Sequence, residues 1–137
     1  MSLVTGSVYA GLSDRNGAPV ISGLFAGEAL KAAAPCYIKS DGEVYECVGT
    51  SGSAASCPMG FTPRSYLENE PVSLYGAGAI FQYNASLTKG AVLYINATAA
   101  GMLDTAKTIG DKHGVAVALD ANNIIVTRSD GRTATEV

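Results

Sequence analysis

The sequence predicts an all-β fold, a small sandwich or barrel formed by a single domain over 1–137. Three observations predict it. Apolar residues make up 47% of the chain and fall into short runs rich in β-branched side chains, the pattern of half-buried strands. Asp41-Gly42 lies between two such runs and is the strongest hairpin signal in the chain. Sixteen glycines and no Trp suit a protein dominated by turns. The β core is expected over 36–131, and the chain is long enough to bury one real core.

Residues 1–20, with Gly6, Gly11, Gly17 and Pro19, read as an extended N-terminal arm with apolar patches at Val4 and Val8. Val20–Phe25 reads as a strand. The stretch 27–34 carries helix propensity over two turns, and Pro35 stops it by pushing the preceding residue out of the α region. A short helix or a loop is expected there, and packing decides between them. Cys36–Lys39 and Val44–Val48 then flank the Asp41-Gly42 turn. A two-residue loop pairs Cys36 with Cys47, Tyr37 with Glu46, Ile38 with Tyr45 and Lys39 with Val44. Alternation puts Cys36, Ile38, Tyr45 and Cys47 on the core face, with Tyr37, Lys39 and Glu46 opposite.

Residues 49–56 form a small-residue loop with an expected exposed tip. Met59–Phe61 reads as a strand, and residues 62–71 form a polar connection bounded by Pro63 and Pro71. Val72–Tyr75 and Ala79–Tyr83 read as strands around Gly76-Ala77-Gly78. The stretch 89–130 contributes Ala91–Ile95, Val115–Leu119 and Ile124–Thr127. Asp120-Ala121-Asn122-Asn123 joins the last two, because Asn and Asp tolerate the positive φ of hairpin turns. The segments 36–76 and 91–131 echo each other, Cys36-Tyr37-Ile38 against Leu93-Tyr94-Ile95 most clearly.

Composition also bounds function. The net charge of −3, with Lys and Arg unclustered, argues against a nucleic-acid footprint. No stretch reaches the length of an apolar membrane span, and the N-terminus lacks the basic start and apolar core of a signal peptide. Assembly in a cytoplasm is therefore expected, and the sequons Asn84-Ala85-Ser86 and Asn96-Ala97-Thr98 read as coincidence. Charged residues are only 15% of the chain, which implies surface covered by partners.

The chemistry-bearing residues do not assemble into a catalytic, cofactor or metal site. Cys36, Cys47 and Cys57 lack zinc-site spacing, and the single histidine, His113, sits in a polar turn. Cys36 and Cys47 read as buried free thiols and Cys57 as exposed. A small hydrolase would need Cys36 or Cys57 beside His113, with no surrounding nucleophile signature. The aspartates occupy turn contexts, and the glycine-rich loop 49–56 lacks the Lys of a phosphate loop.

Leu87-Thr88-Lys89-Gly90-Ala91-Val92-Leu93-Tyr94-Ile95 is followed by a Thr/Ala-rich excursion and then by Gly110-Asp111-Lys112-His113-Gly114-Val115-Ala116-Val117-Ala118. With the closing hairpin Ala116–Arg128, this resembles bacteriophage head decoration (cement) proteins over residues 76–131. The resemblance implies a structural virion protein without catalytic residues. It implies a homotrimer on the capsid exterior that clamps neighbouring major capsid proteins. Contacts are expected from apolar groups in loop-like contexts: Leu3, Val4, Val8 and Tyr9 in the arm, and Arg64, Tyr66 and Leu67 in the connection. The alternative is a glycan- or receptor-binding module of a head fibre or spike, with tyrosines stacking on sugar.

Overall fold

A computed structural model describes residues 3–4, 11–12, 20–49, 54–83 and 86–129. Among the described residues twelve strands run in chain order: β1 Leu3–Val4, β2 Gly11–Leu12, β3 Val20–Phe25, β4 Pro35–Ile38, β5 Val44–Glu46 and β6 Gly60–Phe61. They continue as β7 Pro71–Tyr75, β8 Ile80–Gln82, β9 Val92–Ile95, β10 Leu103–Asp104, β11 Ala116–Ala118 and β12 Asn123–Val126. Every strand pairing is antiparallel. One sheet runs β1-β10-β9-β11-β12-β8-β2 and the other β3-β7-β6-β4-β5, neither closing into a barrel. The chain is an all-β sandwich.

The expected strands of 72–75, 79–83 and 91–127 form within a residue or two of their sequence bounds. β10 lies inside the Thr/Ala-rich excursion, where no strand was expected. Strand β9 changes partner halfway: Tyr94 and Ile95 pair with β10, and Val92 and Leu93 with β11. The arm is also tied down at its two described points, since β1 pairs with β10 and β2 with β8 at opposite edges of the larger sheet. Six flat strand spacings separate those edges, about 29 Å, whereas the seven Cα steps from Val4 to Gly11 reach at most about 25 Å. The larger sheet therefore curls.

The hydrophobic residues form two clusters. The first lies between the sheets: Leu93, Ile95, Ala116, Ile124, Val126 and Phe81 from one, Phe61 and Cys47 from the other. Phe61 and Phe81 stack across it, with ring centroids 6.0 Å apart. Tyr83 is buried there too, its phenol bonded to the backbone of Leu103, and burial pushes its pKa up. The second cluster lies on the opposite face of the five-stranded sheet, where Cys36, Val44, Val72 and Leu74 meet Ala26, Leu30, Ala34 and Tyr66.

Of the two readings for the cover over that second face, a short helix or a loop, the structure has the loop. Residues 26–34 run as an irregular strap, with Ala26 bridged to Val44, Leu30 bridged to Tyr66 and Ala33 at φ 53°. Two turns of helix are too few to hold themselves, and the strap's backbone finds better partners. Leu30 and Tyr66 exchange both backbone hydrogen bonds at 2.9 Å, and Gly27 N donates to Val44 O. Thr62 Oγ1 accepts from Ala34 N and donates to Lys31 O.

The hairpin register also differs from expectation. Cys36 pairs with Glu46, Tyr37 with Tyr45 and Ile38 with Val44, so the loop has three residues, 40–42. Asp41 Oδ1 accepts from Glu43 N at 2.8 Å, Gly42 N donates to Lys39 O, and Gly42 takes φ 84°. A three-residue turn closed by a left-handed glycine is the next most common hairpin loop. The one-residue slip moves β5's side chains to the other face. Cys36 and Val44 therefore enter the second cluster, and Cys47 enters the first. Glu46, expected outside, is buried.

Candidate functional site

The buried polar groups are explained by the fold. Glu46 accepts from the Lys31 backbone at 2.7 Å and from Lys31 Nζ at 2.9 Å, and Nζ also donates to Ala100 O. Glu46 N donates to Glu28 Oε2. This knot ties the strap to the hairpin and to the 96–102 excursion, where a Cβ on Gly101 would sit 2.5 Å from the Glu46 carboxyl carbon. Asp111 is fully buried and accepts from Ile95 N, Gly114 N and Arg128 Nη2. It holds the loop between β10 and β11 against β9 and the end of β12. Asn96 Oδ1 accepts from Thr98 N and Ala99 N, while Nδ2 donates to Asp104. The sequon asparagine is thus buried and engaged, consistent with coincidence; Asn84 lies outside the described residues.

All three thiols are buried, including Cys57, which was expected to be exposed. Val48 N donates to Ala55 O, and this contact folds the Ala54–Ser56 3-10 turn down onto the hairpin and carries Cys57 inward. Burial pushes the Cys36 and Cys47 thiols well above their ordinary range, so neither is poised as a thiolate nucleophile. His113 is exposed, with its backbone N bonded to Asp111. The described residues contain no group of three or more metal-ligating side chains. No helix among them is long and apolar enough to cross a membrane.

Tyr37 and Tyr45 form a half-buried aromatic pair on the hairpin, ring centroids 6.2 Å apart. A sugar platform needs a free ring face. On Tyr45, Lys39 Nζ lies 4.7 Å over the ring, and Gly27 packs so closely that a Cβ there would fall 2.3 Å from Cζ. The Tyr45 hydroxyl donates to Asp41 Oδ2 at 2.9 Å. That bond first, then burial, pushes the Tyr45 pKa up to about 12. The Glu43 backbone and the Tyr45 hydroxyl together hold Asp41 below its usual value.

The expected contact residues are dispersed. Leu3 and Val4 are paired in β1, and Val8 and Tyr9 lie outside the described residues. Arg64 is exposed, with its guanidinium 4.1 Å over the Tyr66 ring. Tyr66 itself is buried in the second cluster, because the Leu30 bridge turns it inward, which corrects its reading as an exposed anchor. Leu67 is 70% exposed.

Two surfaces that the sequence reading missed stand out. On the outer face of the larger sheet, Val92 pairs with Val117, Val117 with Ile125 and Ile125 with Ile80. These four β-branched side chains form an unbroken row across four strands, and none of those strands contains a charged residue. The legible signal was that β9 and β12 are apolar at consecutive positions, a pattern that marks strands covered on both faces. The second surface is the β3 edge, where Val20 and Phe25 are half exposed.

No protein-family model matches the chain, and no curated protein matches it.

Proposed function

We propose that the chain is a structural virion protein, a decoration protein that binds the outer surface of a bacteriophage capsid and stabilises contacts between major capsid proteins. The observation that carries this reading is the uncharged row Val92–Val117–Ile125–Ile80 on the outer face of the larger sheet. It supports the reading because an antiparallel sheet that faces water ordinarily carries polar residues on that face. The strands that carry the row fall within residues 76–131, the segment that resembles cement proteins.

Size indicates how such a surface acts. Four strands about 4.8 Å apart and about four residues long present on the order of 250 Å², against the roughly 800 Å² per partner of a standard interface. A single copy therefore binds weakly through this row alone. Self-association, for which the resemblance implies a homotrimer, multiplies the contact, and simultaneous attachment raises the effective concentration of each further site. The partner in this reading is the major capsid protein, met on the capsid exterior after assembly in the host cytoplasm. It needs neither nucleic acid, membrane, cofactor nor catalytic residue.

The test is co-sedimentation with shells assembled from the phage's own major capsid protein. The wild-type chain is expected to sediment with the shells without added sugar. Ile125→Lys and Val92→Lys, each checked for an unchanged circular-dichroism spectrum, are expected to reduce bound protein about tenfold or more. Wild-type protein that stays in the supernatant, or lysine variants that bind as well as wild type, would overturn the proposal.

A further inference from the structure

We infer that the loop between β10 and β11, residues 105–114, docks onto an acidic, pocketed patch of the capsid shell. The inference rests on the capsid reading above and adds a second contact to the uncharged row. Its basis is a loop of inverted polarity. Thr108 and Asp111 are buried, while Ile109 between them is 66% exposed. Burying polar groups costs free energy and leaving an isoleucine in water forgoes its burial, so a loop ordinarily does the reverse.

A single exposed apolar residue is commonplace and means nothing alone. Ile109 differs in how it is held. Thr108 Oγ1 donates to Ile95 O at 2.8 Å, and Gly110 N donates to Gly49 O at 3.0 Å, so the residues on both sides of Ile109 are pinned to the sandwich. Thr108 N donates to Asp111 O at 2.9 Å across it. Asp111 in turn accepts from His113 N, Gly114 N, Ile95 N and Arg128 Nη2. A backbone fixed in this way has little freedom left to lose on binding, which suits Ile109 to be an anchor.

Charge selects the partner. The chain carries −3 overall, yet this loop is cationic on its surface. Lys107 and Lys112 flank Ile109 in sequence and are exposed, as is His113. Asp104 and Asp111, the two acids within 96–114, are both buried and hydrogen-bonded. The complement of an isoleucine between two lysines is an apolar pocket rimmed by carboxylates, and only a protein surface offers both. DNA-binding proteins that hold tightly contact about six to ten phosphates, and two lysines fall far short. One isoleucine and two lysines are likewise too little for stable attachment to a lipid surface. The loop also continues the row: Val92 packs directly on Gly114 at the loop's end. It therefore enlarges a surface that, by itself, falls short of a standard interface.

The experiment is co-sedimentation with shells assembled from the phage's own major capsid protein, from about 50 mM to about 500 mM salt. It compares the wild-type chain with Lys107→Glu, Lys112→Glu and Ile109→Ser. Lys39→Glu, on the hairpin of the other sheet, is the control of equal charge change. All four positions are exposed, and each variant is checked for an unchanged circular-dichroism spectrum. At low salt the three loop variants are each expected to bind about tenfold less than wild type, and Lys39→Glu within about twofold of it. Salt is expected to shrink the deficit of the two lysine variants and to leave that of Ile109→Ser. Loop variants that sediment as wild type does would overturn this inference and leave the uncharged row standing. Wild type that stays in the supernatant would overturn the capsid reading and this inference with it. A loss matched by Lys39→Glu would reduce the effect to net charge and overturn the inference as well. So would retention on phosphatidylserine vesicles that the same loop variants abolish, because it would give the loop to a lipid surface.

Discussion

The two hydrophobic clusters are closed by different means, and the difference separates strand-built packing from packing held by polar ties. The inter-sheet cluster has strands on both sides, so most of its apolar residues follow from alternation, with Ala33 of the strap added to them, and its aromatic pair Phe61–Phe81 joins one sheet to the other. The second cluster has a sheet on one side only. Its cover is the strap 26–34 with Tyr66, which has no regular hydrogen-bond ladder. It is held by two β-bridges, by Thr62, and by the buried Glu46 carboxylate with its Lys31 partner. Lys31 is half exposed, so the ion pair itself contributes little; the backbone bonds to Glu46 contribute more.

The largest expected break is in the inter-sheet cluster. Phe81→Ala removes a fully buried ring and leaves a cavity that two sheets resist closing, so unfolding stability is expected to drop by about 3–5 kcal/mol. Chemical denaturation measures it, and a loss below about 1 kcal/mol would show that the sheets collapse around the gap. Leu30→Ala tests the strap. Leu30 is 3% exposed, but the irregular segment around it can settle inward, so the expected loss is about 2 kcal/mol, at the low end for such truncations. Native-state hydrogen exchange sharpens the comparison: the Ala33 and Ala34 amides are expected to exchange faster in the variant, while Val115 and Val126 in the larger sheet keep their rates. Uniform acceleration would mean that both clusters open as one unit.

The smallest effect is a pH dependence at the hairpin tip, where Tyr45 leans on Gly27 of the strap. The Tyr45 pKa is raised from 10.0 to about 12, so its contribution is present below pH 10 and is lost as the pH rises through about 12. The Asp41 pKa is lowered from 3.8, so its contribution is present above that value and is lost as the pH falls. An ultraviolet titration is expected to show a late-ionising tyrosine that disappears in Asp41→Asn and in Tyr45→Phe. A spectrum unchanged in both variants would remove the contact from the account of how the strap is seated.

Much of the fold was legible. Val20–Phe25 was read to its bounds, and the β9, β11 and β12 runs to within a residue or two, because β-branched runs between Gly, Asn and Asp have few alternatives. The turn at 120–123 was located for a partly wrong reason. Asp120 Oδ1 accepts from Asn122 N and Asn123 N, and no residue of that turn takes positive φ. The strap stayed open between helix and loop in the sequence, because helix propensity over eight residues yields to tertiary partners. Of the candidate contacts, Leu67 was read as exposed and is, while Tyr66 was turned inward by a bridge to a residue thirty-six positions earlier.

What the sequence determined by itself was local: the alternation that commits these runs to strands, the turn positions, and the low charge that left whole strands neutral. What only the tertiary structure decided was sidedness and register. A three-residue rather than two-residue loop at 40–42 turned Glu46 from surface to core, and a bulge between Ile21 and Leu24 put both of those side chains on the second cluster. Both follow from one physical fact. Side chains alternate with a period of two, so a single-residue difference, worth little in local energy, reverses which face every following side chain occupies. Only packing against the rest of the chain selects between the two.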